Sequence, residues 1–510
     1  MSRINTNVQS LIAQRVLAQN SSGLSTALER LSTGLKVNRG KDDPAGLIAS
    51  ENLRSELKSM NAAISNAERA DQVVNIAEGG LQEVSSLLTE LQGLVTTTAS
   101  NAGLSRSEKE ANQLQVDSIL QTIDRIAGSA SFQGIKLLNG NFDFKSSGVV
   151  AGVSDYRVNS AKFSGDSLNI DVAVTASAQQ GGFFLSMGAT SIDLGGATSS
   201  FVVEIGGNLG SRELTFASGT SLSKIADAIN SFSDVTGVEA TVSGTGIVLN
   251  SSEFGSDQFV SVKVIDDGGI AVATNEGIYN LEDDDFADAQ GSALAQWDDT
   301  SAGNGLTDSG QDLAATINGI SAVTRGKTAR INTDFLDVEV TLDTSTSQSL
   351  GNVGTSGGPA FTITGGGADF QLAGRVDIAG KVAIGIGDVA TRKLGNTDAG
   401  GYLSALGSGK GMNLVSGDLN DAQKVVEAAI GQVSTLRGRL GAFQRNTVGA
   451  TIRSLNIAAE NTAAAQSVVR DADFASETAN LTRSQILVSA STNILSLANS
   501  QPQTVLQLLG

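Results

Sequence analysis

Four stretches of this 510-residue chain carry residue types that can do chemistry. Gly407-Ser408-Gly409-Lys410-Gly411 has the glycines and lysine of a phosphate-cradling loop. That loop also needs Ser or Thr after its Gly-Lys and another Gly five positions before Gly409, and Gly411 and Ser404 stand there instead. Ser221-Leu222-Ser223-Lys224 has the spacing of a Ser-x-x-Lys acyl-transfer motif, but no companion Ser-Asp-Asn exists and the residues suit the start of a helix. Glu282-Asp283-Asp284-Asp285 and Trp297-Asp298-Asp299 offer hard oxygens to a cation such as calcium without the spacing or glycine of a calcium loop. They read as solvated acidic loops. The chain has no histidine and no cysteine, which removes the commonest general base, the commonest zinc ligand, the thiol nucleophile and any disulfide. No catalytic, cofactor-binding or metal-ligating residue is assigned, and the chain does not read as an enzyme.

Composition narrows the remaining classes. With 34 basic and 53 acidic residues the net charge is −19, which repels nucleic acid and anionic lipid. No run reaches the ~18 apolar residues of a membrane helix, so neither nucleic acid nor membrane insertion is expected. Met1-Ser2-Arg3-Ile4-Asn5-Thr6-Asn7 lacks the apolar centre of a signal peptide, leaving a dedicated export route open.

The informative signal is periodicity. Ala63, Ala67, Ala70, Val74, Ala77, Leu81, Val84, Leu88, Leu91 and Val95 follow alternating steps of four and three, the row of a long helix packed along another, a rod of about 50 Å at ~1.5 Å per residue. A second row runs Ala422, Val426, Ala429, Val433, Leu436, Leu440, Phe443, Thr447, Ala450, and continues more weakly through Ile457, Ala464 and Val468. The predicted bundle core is Val74, Leu81, Leu88, Val95, Leu436 and Phe443. More than three hundred residues separate the two rows, so the middle of the chain is an insertion.

Around these rows the spacing predicts a first helix over residues 3–39, with Leu17, Leu24 and Leu31 in one line and Leu28 and Leu35 in a second. Asp42-Asp43-Pro44-Ala45 restarts a helix that runs to about Ser100, Gly79-Gly80 being its weak point. Ser107-Glu108-Lys109-Glu110 is read as a capping box opening a third helix, which carries Leu114, Ile119, Ile123 and Ile126. Asn139-Gly140 after an apolar run predicts a small hairpin. From about Ser146 to Gly401 glycine and β-branched residues dominate. Strands are expected at 201–205, 213–216, 238–242, 246–250 and 259–265, one helix at 221–232, and more strands over 322–389. The last helix carries Leu487, Ala490, Ile494 and Leu497 and is expected to end before Pro502, followed by the apolar tail Val505-Leu506-Gln507-Leu508-Leu509.

The expected fold is mostly α: a long coiled-coil helical bundle formed by both chain ends, with an inserted β-rich (α+β) variable region. Its segments are 1–44, 45–145, 146–405, 406–470 and 471–510. A two-helix rod buries only one stripe, and each apolar side chain left uncovered forgoes ~1.5–3 kcal/mol, so the terminal helices are expected to be covered by other copies of the chain.

Several motifs then resemble one family. Ile4-Asn5-Thr6-Asn7, Leu31-Ser32-Thr33-Gly34-Leu35-Lys36-Val37-Asn38, Asp42-Asp43-Pro44-Ala45-Gly46 and Ala77-Glu78-Gly79-Gly80-Leu81 occur at one end. Arg470-Asp471-Ala472-Asp473-Phe474, Gln485-Ile486-Leu487 and Ala498-Asn499-Ser500-Gln501-Pro502-Gln503 occur at the other. In this order they resemble the bacterial flagellins, over about the first 140 and the last 100 residues.

The resemblance implies a secreted structural subunit of the extracellular bacterial flagellum that polymerises with itself. In such a filament the terminal helices form an inner tube, the bundle an outer tube, and the insert projects into solvent. It further implies export in a largely unfolded state, and an export chaperone, a filament cap and hook-associated proteins as partners. The polymerising surface is assigned to Leu24, Leu28, Leu31, Leu35, Leu487, Ile494, Leu497, Val505, Leu508 and Leu509. Ala226-Asp227-Ala228-Ile229-Asn230 with Thr236-Gly237-Val238 and Phe259-Val260-Ser261-Val262 resembles a repeat of flagellins and hook-associated proteins. Family members read by the innate immune receptor of animals carry arginines ahead of Glu-Leu, whereas here the stretch is Thr89-Glu90-Leu91-Gln92-Gly93-Leu94. The alternatives are a hook–filament junction protein built on the same two ends, and a carbohydrate-active module within the insert.

Overall fold

The computed structural model describes residues 6–508 apart from 101, 102, 164, 195, 197, 198, 271–275, 282–292, 355, 356 and 398, and apart from the side chains of 293 and 502–508. Terminal helical regions flank a central β-rich insert. Among the described residues the helices longer than five residues are α1 (Val8–Thr33), α2 (Pro44–Thr98), α3 (Arg106–Ser129), a short α4 (Leu222–Asn230) in the insert, α5 (Leu419–Ala442), α6 (Gly449–Arg470) and α7 (Phe474–Leu508), besides the π turn described below. The chain forms two compact units: Met1–Val74 with Phe370–Lys381 and Gly441–Gly510, and Asn75–Asp369 with Val382–Leu440.

In the first unit α1 pairs with α7, antiparallel, while the first half of α2 lies beside α6. Arg470 Nη1 meets Glu51 Oε1 at 3.1 Å, and Gln444 Nε2 donates to Asp71 Oδ1 at 2.8 Å. The connectors between the terminal pair and the rods are themselves paired. Lys36 N donates to the Arg470 carbonyl at 2.7 Å and Ala472 N to that of Gly34 at 2.9 Å.

In the second unit α2, α3 and α5 bury facing apolar rows. Leu81, Val84, Leu88, Leu91 and Val95 are buried on α2, Val116, Ile119 and Ile123 on α3, and Val426, Ala429 and Val433 on α5. Arg437 Nε reaches Glu78 Oε1 at 2.8 Å, and Gln113 ties α3 to the incoming loop by donating to the Leu406 carbonyl and accepting from Leu414 N.

The insert holds two β-cores. One combines an antiparallel five-stranded sheet with a four-stranded one, the central strands being Gly182–Ser186 and Ser200–Gly207, and packs Phe183, Phe201, Leu249 and Trp297 with Ile225 and Ile229 of α4. The other has Val172–Ala176 and Leu336–Leu342 in two further four-stranded sheets, around Ile170, Val338, Val340 and Phe361. The strands expected from sequence appear at 200–207, 210–217, 238–243, 246–251 and 259–266, and the helix at 222–230.

Several local expectations are corrected. Helix α1 stops at Thr33, not near 39, because Gly34 takes φ +72° and its amide closes the turn on Arg30 O, placing Leu35 outside the helix. The capping box is Ser105 with Glu108 rather than Ser107 with Glu110. Leu114 is 69% exposed and takes no part in the α3 core. The hairpin joins Ser131–Phe132 to Ile135–Lys136 and turns at Gln133-Gly134, both at positive φ, not at Asn139-Gly140.

The C-terminal row holds as far as Phe443 and then breaks. Residues Phe443–Val448 form a π-helical turn in which Gly449 N bonds to Gln444 O. This wider turn advances the register by one residue, burying Val448 in place of Thr447 and leaving Ile457 61% and Val468 82% exposed. Finally, α7 runs straight through Pro502 to Leu508.

The Gly79-Gly80 pair, expected to weaken α2, has two different roles. Gly79 has open space where a side chain would go, whereas a Cβ on Gly80 would lie 2.7 Å from Leu138 Cδ1, itself fully buried. Gly79→Ala should stabilise the chain by ~0.5–1 kcal/mol through helix propensity. Gly80→Val should cost ~1–3 kcal/mol by overpacking. Urea unfolding of both variants checks the opposed signs, and a neutral Gly80→Val would show that Leu138 yields freely.

Candidate self-assembly surface

Because α1 and α7 carry few large side chains on their shared face, small and polar groups make the seam. Ser10, Ala13 and Ala27 of α1, and Glu477, Ser491 and Ala498 of α7, are buried. Ser10 Oγ donates to Asn499 Oδ1 at 2.7 Å, Asn20 Nδ2 to Ser491 Oγ at 2.7 Å, and Arg30 Nη1 to Glu477 Oε1 at 3.1 Å. Close approach of two helices through small residues leaves their large apolar side chains on the outside.

Leu28, Leu487, Ile494 and Leu497 are exposed, and Leu24 and Leu31 are half-buried. Leu35 is half-buried in the connector, where it forms an antiparallel bridge with Asp471. Val505 and Leu508 lie on the described backbone of α7 without described side chains, and Leu509 lies outside the described residues. Sequence reasoning missed Val8, Leu11, Ile12 and Val16 of α1 and Phe474 and Ile486 of α7, which are equally exposed. Their signal was present as apolar residues off the leucine line. By contrast the predicted bundle residues Val74, Leu81, Leu88, Val95, Leu436 and Phe443 are all buried.

The stretches first inspected for chemistry find ordinary structural places. In the Gly407–Gly411 loop, Ser408 donates both its amide and its hydroxyl to Asp117, so a carboxylate already takes the donors a phosphate would use. Burial pushes the Asp117 carboxyl up, but the bonds from Ser408 and Gln113 outweigh it and hold the group below its ordinary value. Ser221 precedes α4 as its N-cap residue. Asp299 caps the turn Thr300–Asn304 and Trp297 is buried beside Phe201, while Glu282–Asp285 lies outside the described residues. Among the described residues no cluster of acidic side chains is arranged to hold a metal ion, and no helix is long and apolar enough to cross a membrane.

Three family models match the chain: the bacterial flagellin N-terminal helical region over 4–143, the bacterial flagellin C-terminal helical region over 423–509, and the flagellin hook IN motif over 200–253. A flagellin of Salmonella choleraesuis is 28% identical, the match covering 99% of each chain. The B-type flagellin of Pseudomonas aeruginosa is also 28% identical over 99% of each chain. Among solved structures, FliC from Burkholderia pseudomallei aligns with 74% of this chain and 99% of its own at 12% identity and a TM-score of 0.21, too low for the superposition to bear on the fold. With both terminal models in place at the two helical ends, and flagellins matched along the whole chain between them, this protein belongs to the bacterial flagellin family.

Proposed function

We infer that the chain is the structural subunit of a bacterial flagellar filament, growing by a head-to-tail contact that does not close on itself. The observation that carries the reading is the inside-out terminal pair: its seam is small and polar, and its large apolar side chains face away from it. A soluble monomer with that surface is incomplete, and neighbouring copies that wrap it supply the missing burial.

At finer grain, the two chain ends line the inner tube through Leu24, Leu28, Leu31, Leu35, Leu487, Ile494, Leu497, Val505, Leu508 and Leu509, to which the exposed Val8, Leu11, Ile12, Val16 and Ile486 are now added. Segments 45–145 and 406–470 build the outer tube as a coiled-coil bundle, and 146–405 projects outward. The small, polar seam between α1 and α7 suits a chain exported largely unfolded whose ends order on assembly. An export chaperone, a filament cap and hook-associated proteins are the partners such a life cycle requires. Purified full-length chain, seeded with sheared filament fragments, should elongate them into helical filaments visible by electron microscopy. Seeds that stay at their starting length would refute the reading.

A further inference from the structure

A proline inside a helix withholds one amide hydrogen, and the carbonyl four residues earlier loses its donor. In α7 that proline is Pro502 and that carbonyl belongs to Ala498, which is buried against α1. The missing donor comes from the opposite end of the chain: Asn7 Nδ2 donates to the Ala498 carbonyl at 2.8 Å. The same side chain accepts from Ser10 N through Oδ1 at 3.0 Å, as the N-cap of α1. One turn on, Ser10 Oγ donates to Asn499 Oδ1. One asparagine therefore starts the first helix and lets the last helix continue through its proline.

We propose that Asn7 and Pro502 form a register latch between the two chain ends. A seam of Ser and Ala offers little shape to stop two helices sliding, and sliding would carry the outward apolar rows away from the positions where neighbouring copies meet them. At the far end of the pair the Leu35–Asp471 bridge and the Arg30–Glu477 ion pair fix the alignment. At the near end the fixed point is the carbonyl that Pro502 frees, a backbone acceptor that Asn7 takes up at 2.8 Å. The assembling conformation then requires both ends at once, and a chain lacking either end cannot complete it. The inference rests on the filament reading, and Asn7 acts as a positioning residue within it.

The test uses the full-length chain in four forms: wild type, Asn7→Ser, Pro502→Ala and the double variant. Serine remains a good N-cap but is too short to reach Ala498, so Asn7→Ser removes only the cross-helix donor. Against wild type it should raise the critical concentration for seeded growth about tenfold, equivalent to ~1.4 kcal/mol. Against Pro502→Ala, where residue 502 supplies its own amide to Ala498, the same change should shift it less than about twofold. Equal shifts in both backgrounds, or no shift in either, overturn the latch. So does a Pro502→Ala chain that fails to grow by itself, because its helix then lacks no backbone bond. A wild type that does not grow sinks the filament reading and the latch with it, which separates that failure from failure of the latch alone.

Discussion

Replacing Ile494 and Leu497 with Asp should stop filament growth while leaving the isolated chain as stable as before. In the chain by itself these side chains are 58% and 64% exposed, and polar substitutions at such positions usually change stability by less than ~0.5 kcal/mol. In the assembled state each should be covered by a neighbour, where losing the apolar burial costs ~1.5–3 kcal/mol per site and an unpaired carboxylate adds a desolvation penalty. Two sites at ~2 kcal/mol already correspond to about a thousandfold rise in critical concentration, at ~1.4 kcal/mol per factor of ten, beyond what a purified preparation reaches. Sedimentation after seeding reads the first half of the prediction and thermal unfolding of the unassembled chain the second. Pelletable filaments at wild-type concentration would remove these residues from the contact. A large fall in melting temperature would place them in the core of the monomer.

The contrast between those two residues and the α2 row shows what the sequence makes legible. Every position from Ala63 to Val95 in that row is buried, because a strict four-three repeat means a helix with one face permanently against others, whatever the partners are. The C-terminal row was readable until Phe443 and not beyond it. A π turn inserts one residue, its flanking Gly441 and Gly449 do not by themselves distinguish it from continuous α-helix, and the later positions move to another face. On α1 and α7 the large residues advertise a seam, while the seam actually used is made of Ser10, Ala13, Ala27, Ser491 and Ala498, which carry almost no hydropathy signal.

Likewise the insert strands between 200 and 266 were visible as β-branched runs, whereas Val153–Ala161, Val172–Ala176, Gly182–Ser186 and Ala314–Ile317 were not singled out, and the pairing was not legible for any of them. Val172–Ala176 lies beside Ala314–Ile317, and Val153–Ala161 beside Leu336–Leu342, partners well over a hundred residues apart whose match is settled only by the closed core. Pro502 is the most instructive case. Local rules end a helix there, yet the helix continues, and a side chain from the opposite terminus donates to the carbonyl that the proline leaves without its helical donor.

Removing Asp471 to Gly510 should abolish polymerisation and leave a folded remainder, and the chain contains its own reporter for the second point. Its single tryptophan, Trp297, is buried in the insert, donates from Nε1 to the Ser186 carbonyl at 3.0 Å, and meets Phe201 edge-on at 5.2 Å. It belongs to the unit that the deletion does not enter. The truncated chain should therefore keep its tryptophan emission and the unfolding midpoint that this emission reports. Its helicity should fall by more than the 35 residues of α7, because the 26-residue α1 loses the surface that covers Ser10, Ala13 and Ala27 and the partners of Asn20 and Arg30. A helix whose apolar residues have nothing to pack against is marginal in water. Circular dichroism distinguishes the cases: a loss confined to α7 would mean that α1 stands without its partner and that the two ends are not interdependent. Filaments grown from the truncated chain in an electron micrograph would be the heavier blow, since no inner tube could then be built from a paired α1 and α7.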